Sequence, residues 1–430
     1  MKIKKDRGLK REIGFWGLSS NLVNIIVGAG IFVLPAIVAA GLGSAAIVAY
    51  LFCGFLILLI MFCFAEAGTR VTNTGGAYTY LEAAFGNYAG YLTAIFFFCS
   101  SITSDAAVAN ALAGVLSSVF PIFDLTWVRL VFFGVVFSGL AAINVLGVRQ
   151  GIGLVKFTTV AKLVPLLLIV ALGWTEVNVS NLQWEALPPL TDIGAISLIL
   201  FWAFQGGESG LAVSGEVINP RKTIPKSIFV SIIGVLVLYG LIQVVSQGVL
   251  GDELANSQDS PLAKVGERLL GPVGFTIVTL GAAFSMFGNL SGEILNIPRV
   301  VYGAARDRAI PVKALAKIHP RYGTPYVAII FYTTTVIILA SVGGFKLLAS
   351  LSGAFMLVIY IGVAFAVFRL RKTTPTTKET YVIPGGKIIP VAAIAAGAWL
   401  LTGLDRIALI GGGVFIAALT VVFFLIRRRT

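Results

Sequence analysis

The chain has 430 residues, 57% of them hydrophobic and 12% charged, with a mean hydropathy of +0.95. Soluble domains carry roughly 25% charge, so this composition excludes an ordinary globular enzyme and indicates an all-α polytopic membrane protein. The net charge of +13 would suit nucleic acid, but the basic residues collect in alternate loops. That pattern names the lipid bilayer, and no nucleic acid, as the partner.

Apolar runs of about 17–25 residues, with longer tilted ones allowed, give about twelve spans. They are centred near Gly28, Phe55, Thr103, Val136, Leu163, Ala203, Leu236, Gly288, Thr334, Leu357, Ala396 and Phe415. The third and eighth are long and the eleventh is short. The first run, Phe15 to Ala40, exceeds a signal-peptide core and has no convincing cleavage site, so it reads as a retained span.

Within that run, Val27-Gly28-Ala29-Gly30-Ile31-Phe32 sets two glycines one residue apart. Glycine weakens a helix, and in lipid an unwound turn survives only against protein or a polar cavity. The resumed helix would present free N–H groups and a partial positive charge to a carboxylate. A plain small-residue packing patch is the alternative for this stretch alone. A second break follows five spans later, at Phe201-Trp202-Ala203-Phe204-Gln205-Gly206-Gly207-Glu208-Ser209-Gly210. Matching Gly-interrupted helices in two halves point to an inverted-repeat transporter.

Charge sets the orientation. Lys2, Lys4, Lys5, Arg7, Lys10 and Arg11 precede the first span, and Arg70, Arg149, Arg221, Lys222 and Lys226 follow even-numbered spans. So do Arg299, Arg306, Arg308, Lys313, Lys317 and Arg321, then Arg369, Arg371, Lys372, Lys378 and Lys387. The opposite loops hold Asp124, Glu176, Glu185, Asp192, Asp252, Glu253 and Asp259. By the positive-inside rule both termini face the cytoplasm. Cys53, Cys63 and Cys99 all fall in apolar runs, which assigns them to buried packing. His319 sits alone in a basic loop, so neither a histidine metal cluster nor a cofactor is expected.

The ordered motifs resemble the amino acid–polyamine–organocation superfamily. They comprise Gly28-Ala29-Gly30-Ile31-Phe32, Glu66 with Gly75-Gly76-Ala77-Tyr78-Thr79-Tyr80, and Asn144-Val145-Leu146-Gly147. Glu216-Val217-Ile218-Asn219-Pro220 with Ile224-Pro225, Ala305-Arg306-Asp307-Arg308-Ala309-Ile310-Pro311 and Gly323-Thr324-Pro325 complete the set. The resemblance implies a five-plus-five inverted repeat of the leucine-transporter type in one integral domain. The repeats would cover about 14–173 and about 190–370, with two peripheral helices over about 388–427. It further implies amino acid or amine transport by alternating access, as proton-coupled symport or exchange, in the cell membrane. The Trp202 to Ser209 stretch is similar to the arginine/agmatine and putrescine antiporter branch, where the tryptophan gates and the glutamate senses protons. Three positions depart: Ala29 replaces a common Ser, Glu293 stands where that branch stacks a Trp, and Asp105 replaces an Asn.

Ionisable groups in a membrane face a cavity or each other. Asp105 lies mid-span with Ser101 one turn earlier, a candidate for the substrate's cation or for a proton. Lys162 falls where superfamily members carry a lysine in place of sodium, beside the first break; Lys156 lies nearer the cytoplasm and can snorkel. Glu208 opens the inner half of span six. Glu293 shares a polar stripe with Ser285, Asn289 and Asn296, and both cavity lining and helix–helix bonding stay open for it. Glu66 and Glu216 are placed at cytoplasmic ends, structuring loops or a gate.

The expected substrate site is therefore Ile25, Gly28, Ala29, Gly30, Ser101, Asp105, Trp202, Gln205 and Glu293, with Lys162, Trp202 and Glu208 in gating or proton coupling. The carboxylate would dock on the Gly28–Gly30 amides and the ammonium on carbonyls near Ile25, Trp202 and Gln205. A cationic amino acid or polyamine antiporter is the nearest rival reading, and a homodimer stays open. A channel would need charge or carbonyl rings along a pore, an enzyme a metal or histidine motif, and a receptor a signalling domain.

Overall fold

Near-continuous apolar sequence punctuated by glycine and proline yields helices throughout. The computed structural model describes residues 14–71, 76–146, 149–184, 186–211, 217–258, 260–306, 310, 312–377, 380–404 and 406–427. For 149–160, 210, 407–409 and 426–427 it describes the backbone alone. The basic run Lys2 to Arg11, Gly75, Gly147, Glu185, Glu216, Asp259, Asp307, Arg308, Ala309, Pro311, Lys378, Arg428, Arg429 and the Lys156 side chain lie outside the described residues.

The first span is split into α1 (Phe15–Ile26) and α2 (Gly30–Leu42). The chain turns at Gly43, whose φ of 56° suits glycine, into α3 (Ala46–Arg70). A short α4 (Ala77–Phe85) leads to α5 (Asn87–Ser117), α6 (Thr126–Leu146) and α7 (Arg149–Gly173). The sixth span is again split, into α8 (Leu190–Phe201) with a 3₁₀ turn over Trp202–Phe204, then α9 (Gly207–Gly210). There follow α10 (Pro220–Leu250), α11 (Glu253–Asn256) and α12 (Pro261–Arg306). The chain ends with α13 (Tyr326–Val342), α14 (Phe345–Thr373), α15 (Ile388–Leu401) and α16 (Arg406–Arg427).

Every expected span centre falls in one of these helices or at one of the two breaks. Seven helical runs among the described residues are long and apolar enough to cross a bilayer, and four shorter apolar helices accompany them. The 46 residues of α12 are not one rod. Gly271, at φ 64°, and Pro272 interrupt it, because the ring of Pro272 cannot continue the preceding turn.

Side-chain bonds give the helix directions. Ser227, Ser231 and Tyr239 of α10 donate to the carbonyls of Phe15, Ser19 and Ile26 of α1, an offset of 212 to 213 residues throughout. A constant offset means that these helices run parallel and in register. On α12, Ser285 donates to the Val27 and Gly28 carbonyls while Asn289 donates to Ile25. There the numbers run oppositely, so α12 is antiparallel to α1. These senses agree with spans one and seven crossing one way and span eight the other.

The C-terminal end of α3 carries a buried charge cluster. Glu66 accepts from Arg70 and from Arg371 of α14, whose ion pair measures 2.6 Å, and from the Ile383 N–H. Arg70 also donates to the Thr374 carbonyl and Arg371 to that of Gly386. One carboxylate thus fixes the segment after α14 against α3. Glu66 is structural to this loop, as its position led us to expect.

Candidate functional site

The two breaks pack against each other. A Cβ on Gly30 would stand 2.5 Å from Ala203 Cβ, and one on Gly206 2.7 Å from Ile25 Cγ2. Gly206 also sits at φ 109°, where a side chain is strained. Tyr239 spans the junction, its hydroxyl 3.0 Å from the Ile26 carbonyl and 3.3 Å from that of Ala203. Close approach, rather than ligand access alone, is what requires glycine here.

Unwinding leaves backbone groups for other partners. The Gly28 N–H bonds to the Ile26 carbonyl at 2.9 Å, and the Phe32 N–H to Ala29 at 3.0 Å. Between them, the N–H groups of Ala29, Gly30 and Ile31 have no acceptor among the described residues. The free amides therefore begin one residue later than expected, since Gly28 is already engaged. Of the three expected carbonyls, Ile25 accepts from Asn289 at 3.3 Å and Trp202 from the Gln205 N–H at 3.2 Å. That of Gln205 receives no donor among the described residues.

Lys162 of α7 is fully buried, its Nζ 2.8 Å from both the Asn24 and Val27 carbonyls. Ser285 of α12 donates to the same Val27 carbonyl at 3.4 Å. An ammonium thus ties down the last turn of α1 from one side and a hydroxyl from the other.

A cavity opens beside the breaks, bounded by Ile25, Gly28 to Gly30, Trp202, Gln205, Gly206, Glu208 and Ser209. Its far wall is Ser100, Ser101, Ser104 and Val108 of α5, Asn289 and Glu293 of α12, and Ser352 and Met356 of α14. Measured at the centres of water-sized spheres its volume is about 50 Å³. One water needs about 10–15 Å³ on that measure, so the space holds several waters or a small polar molecule.

Each lining group has its own state. The Trp202 indole donates to Ser104 Oγ at 3.0 Å, and its ring meets Phe345 edge-on. Glu208 takes two 3.1 Å bonds from the Gly206 N–H and one from the Tyr360 hydroxyl. Ser352 links Ser100, at 3.0 Å, to Gln205 Oε1, at 3.4 Å. Gln205 Nε2 is buried with no partner.

Asp105 is not among the lining residues. It is fully buried, with Oδ2 2.8 Å from the Tyr332 hydroxyl of α13 and Oδ1 without a partner. At about 100° per residue, Ser100, Ser104, Val108 and Ser101 occupy an arc of about 100°. Asp105 falls about 40° past the Ser101 edge of that arc, turned to α13. The remaining expected residues, Ile25, Gly28, Ala29, Gly30, Ser101, Trp202, Gln205, Glu208 and Glu293, meet at one cavity, with Lys162 directly behind the break. Sequence reasoning missed Ser104, Ser352, Met356, Tyr239 and Tyr360. Only Ser104 carried a signal, lying three residues from Ser101 on the same helix.

The amino acid permease family model matches residues 13–426 of the chain. The serine/threonine exchanger SteT of Bacillus subtilis (strain 168) is 28% identical over 407 residues, 92% of each chain. The branched-chain amino acid permease BcaP of the same organism is 25% identical, over 99% of this chain and 94% of its own. The b(0,+)-type amino acid transporter 1 of Rattus norvegicus is 31% identical over 350 residues, 78% of this chain and 70% of its own.

Proposed function

Since the chain belongs to the amino acid permease family, we propose that it carries amino acids across the cell membrane by alternating access, as a carrier and not an enzyme. One observation carries the reading. Three successive free N–H groups, on Ala29, Gly30 and Ile31, begin α2 beside the same cavity that the Gln205–Gly206 break lines. Such a terminus suits an anion, and the unengaged Gln205 carbonyl suits an ammonium. A zwitterion whose two charged groups are borne by one carbon fits this pairing; a simple anion or cation would leave half of it unmet.

The α-carboxylate then takes the α2 amides and the α-ammonium the Gln205 and Ile25 carbonyls, while Trp202 closes over the ligand from Ser104. Lys162 holds the unwound turn in the receiving shape. Glu208, held by Tyr360 and Gly206, is the group through which a proton would couple. The first repeat, about 14–173, supplies α1, α2, α5 and α7, and the second, about 190–370, supplies α8, α9, α12 and α14. The peripheral pair, about 388–427, adds no lining residue. Both termini are cytoplasmic by the charge pattern. The relatives are named for serine and threonine exchange and for branched-chain amino acids, which supports amino acid exchange or symport without fixing the side chain.

Counterflow in proteoliposomes tests this. Stereoselective uptake of labelled L-amino acid against internal unlabelled amino acid is expected. An ohmic current without exchange would replace the carrier by a channel.

A further inference from the structure

The cavity has a third end that a simple zwitterion does not reach. No lysine, arginine or histidine is among its lining residues, yet two carboxylates are, Glu208 and Glu293. Glu208 is satisfied by Gly206 and Tyr360. Glu293, partly buried on α12, receives no hydrogen bond from any described residue. The buried cation nearest the break, Lys162, is turned onto the Asn24 and Val27 carbonyls and is not available to it. Asp105 points at Tyr332 and lies outside the cavity.

Position along α12 gives the reach. Ser285, Asn289 and Glu293 are spaced four residues apart, so they share one face. The first two touch the carbonyls of the unwound turn, Asn289 at Ile25, where the ammonium of the proposed ligand belongs. Glu293 lies about 6 Å further along the helix, within reach of an extended lysine or ornithine side chain. Gln205 Nε2, buried in the same cavity and without an acceptor, is a second group left for the ligand.

Resting on the transport reading above, we propose that Glu293 sets charge selectivity and that the substrates are amino acids whose side chain ends in a second cation, ammonium or guanidinium. The second cation supplies the counter-charge that the protein omits. A neutral side chain displaces the cavity's water and leaves the carboxylate unpaired.

The experiment compares lysine and arginine with their uncharged counterparts norleucine and citrulline in counterflow and in ligand-induced thermal shift. Wild type and Glu293→Gln are measured, with Glu293→Asp as the variant that keeps the charge. Wild type should favour each cation over its neutral counterpart by at least tenfold. Glu293→Gln should lower cation affinity at least tenfold and bind norleucine and citrulline no more weakly than wild type does, while Glu293→Asp retains most of the preference. Equal or better use of the neutral ligands by wild type would overturn the proposal while leaving amino acid transport standing. So would an unchanged ranking in Glu293→Gln combined with loss of pH-driven accumulation, which would make Glu293 a proton carrier. Absence of exchange for every amino acid in wild type would overturn the transport reading and this inference together.

Discussion

Replacing Lys162 with methionine keeps most of the stem and deletes the ammonium behind the first break. Two bonds of 2.8 Å, to Asn24 and Val27, are lost. A hydrogen bond to a charged group contributes about 1.5–3 kcal/mol, so the gross loss is about 3–6 kcal/mol. Two effects offset part of it. Val27 keeps its bond from Ser285, and the cost of burying an ammonium, several kcal/mol in folded proteins, disappears with the charge. A net loss of about 2–4 kcal/mol remains for the receiving shape of the turn. At about 1.4 kcal/mol per tenfold, the Kd for the best amino acid should rise on the order of 30- to 700-fold. Titration calorimetry in detergent reads this directly, with thermal stability recorded alongside. Lys156→Met, nearer the N-terminal end of the same helix, is the comparison and should stay within threefold. A Lys162→Met protein with Kd within threefold of wild type and unchanged thermal stability would refute the idea that this ammonium shapes the site.

Tyr332→Phe should cost about 1.5–3 kcal/mol of stability by taking the donor from a buried carboxylate, and much less in an Asp105→Asn background, which a denaturation cycle measures. Asp105→Asn should leave the ranking of neutral and cationic ligands unchanged in binding assays, because the side chain is outside the cavity; a shift beyond threefold would return it to the site. Gly206→Ala should weaken binding at least tenfold, combining about 1–2 kcal/mol of left-handed strain with contact against Ile25. Gly114→Ala on α5, where a Cβ meets nothing within 4 Å, should instead be neutral or stabilising by up to about 1 kcal/mol in thermal melts.

Much of this was legible before any coordinates. The breaks showed because glycine pairs inside apolar runs have few other uses, and Lys162 stood out because it falls where the superfamily that the chain resembles carries a lysine in place of sodium. Asp105 was misplaced by phase: Ser101 is a lining residue, and a residue four positions on is rotated by about 40°, enough to cross from cavity to neighbouring helix. Which neighbour receives it depends on how α13 docks, and periodicity along one helix holds no information on that. Tyr239 and Tyr360 were invisible for a related reason. A tyrosine in an apolar run reads as packing until the carbonyl or carboxylate opposite its hydroxyl is known. The Gly28 amide was credited to a ligand because the local turn that engages it, back to Ile26, depends on dihedral angles and not on residue type.

The in-register row of hydroxyls from α10 to α1 bears on how the molecule moves. Ser227, Ser231 and Tyr239 grip α1, the first half of the broken helix, at three levels along its length. By contrast, the side-chain bonds from α12 among the described residues fall at the unwound turn, near the C-terminal end of α1. A swing of α1 about that turn therefore has a natural pivot at α12 and a natural passenger in α10. Spin labels on α1 and α10 would keep one separation through the transport cycle. The distance from the start of α1 to the C-terminal end of α12 would report the stroke.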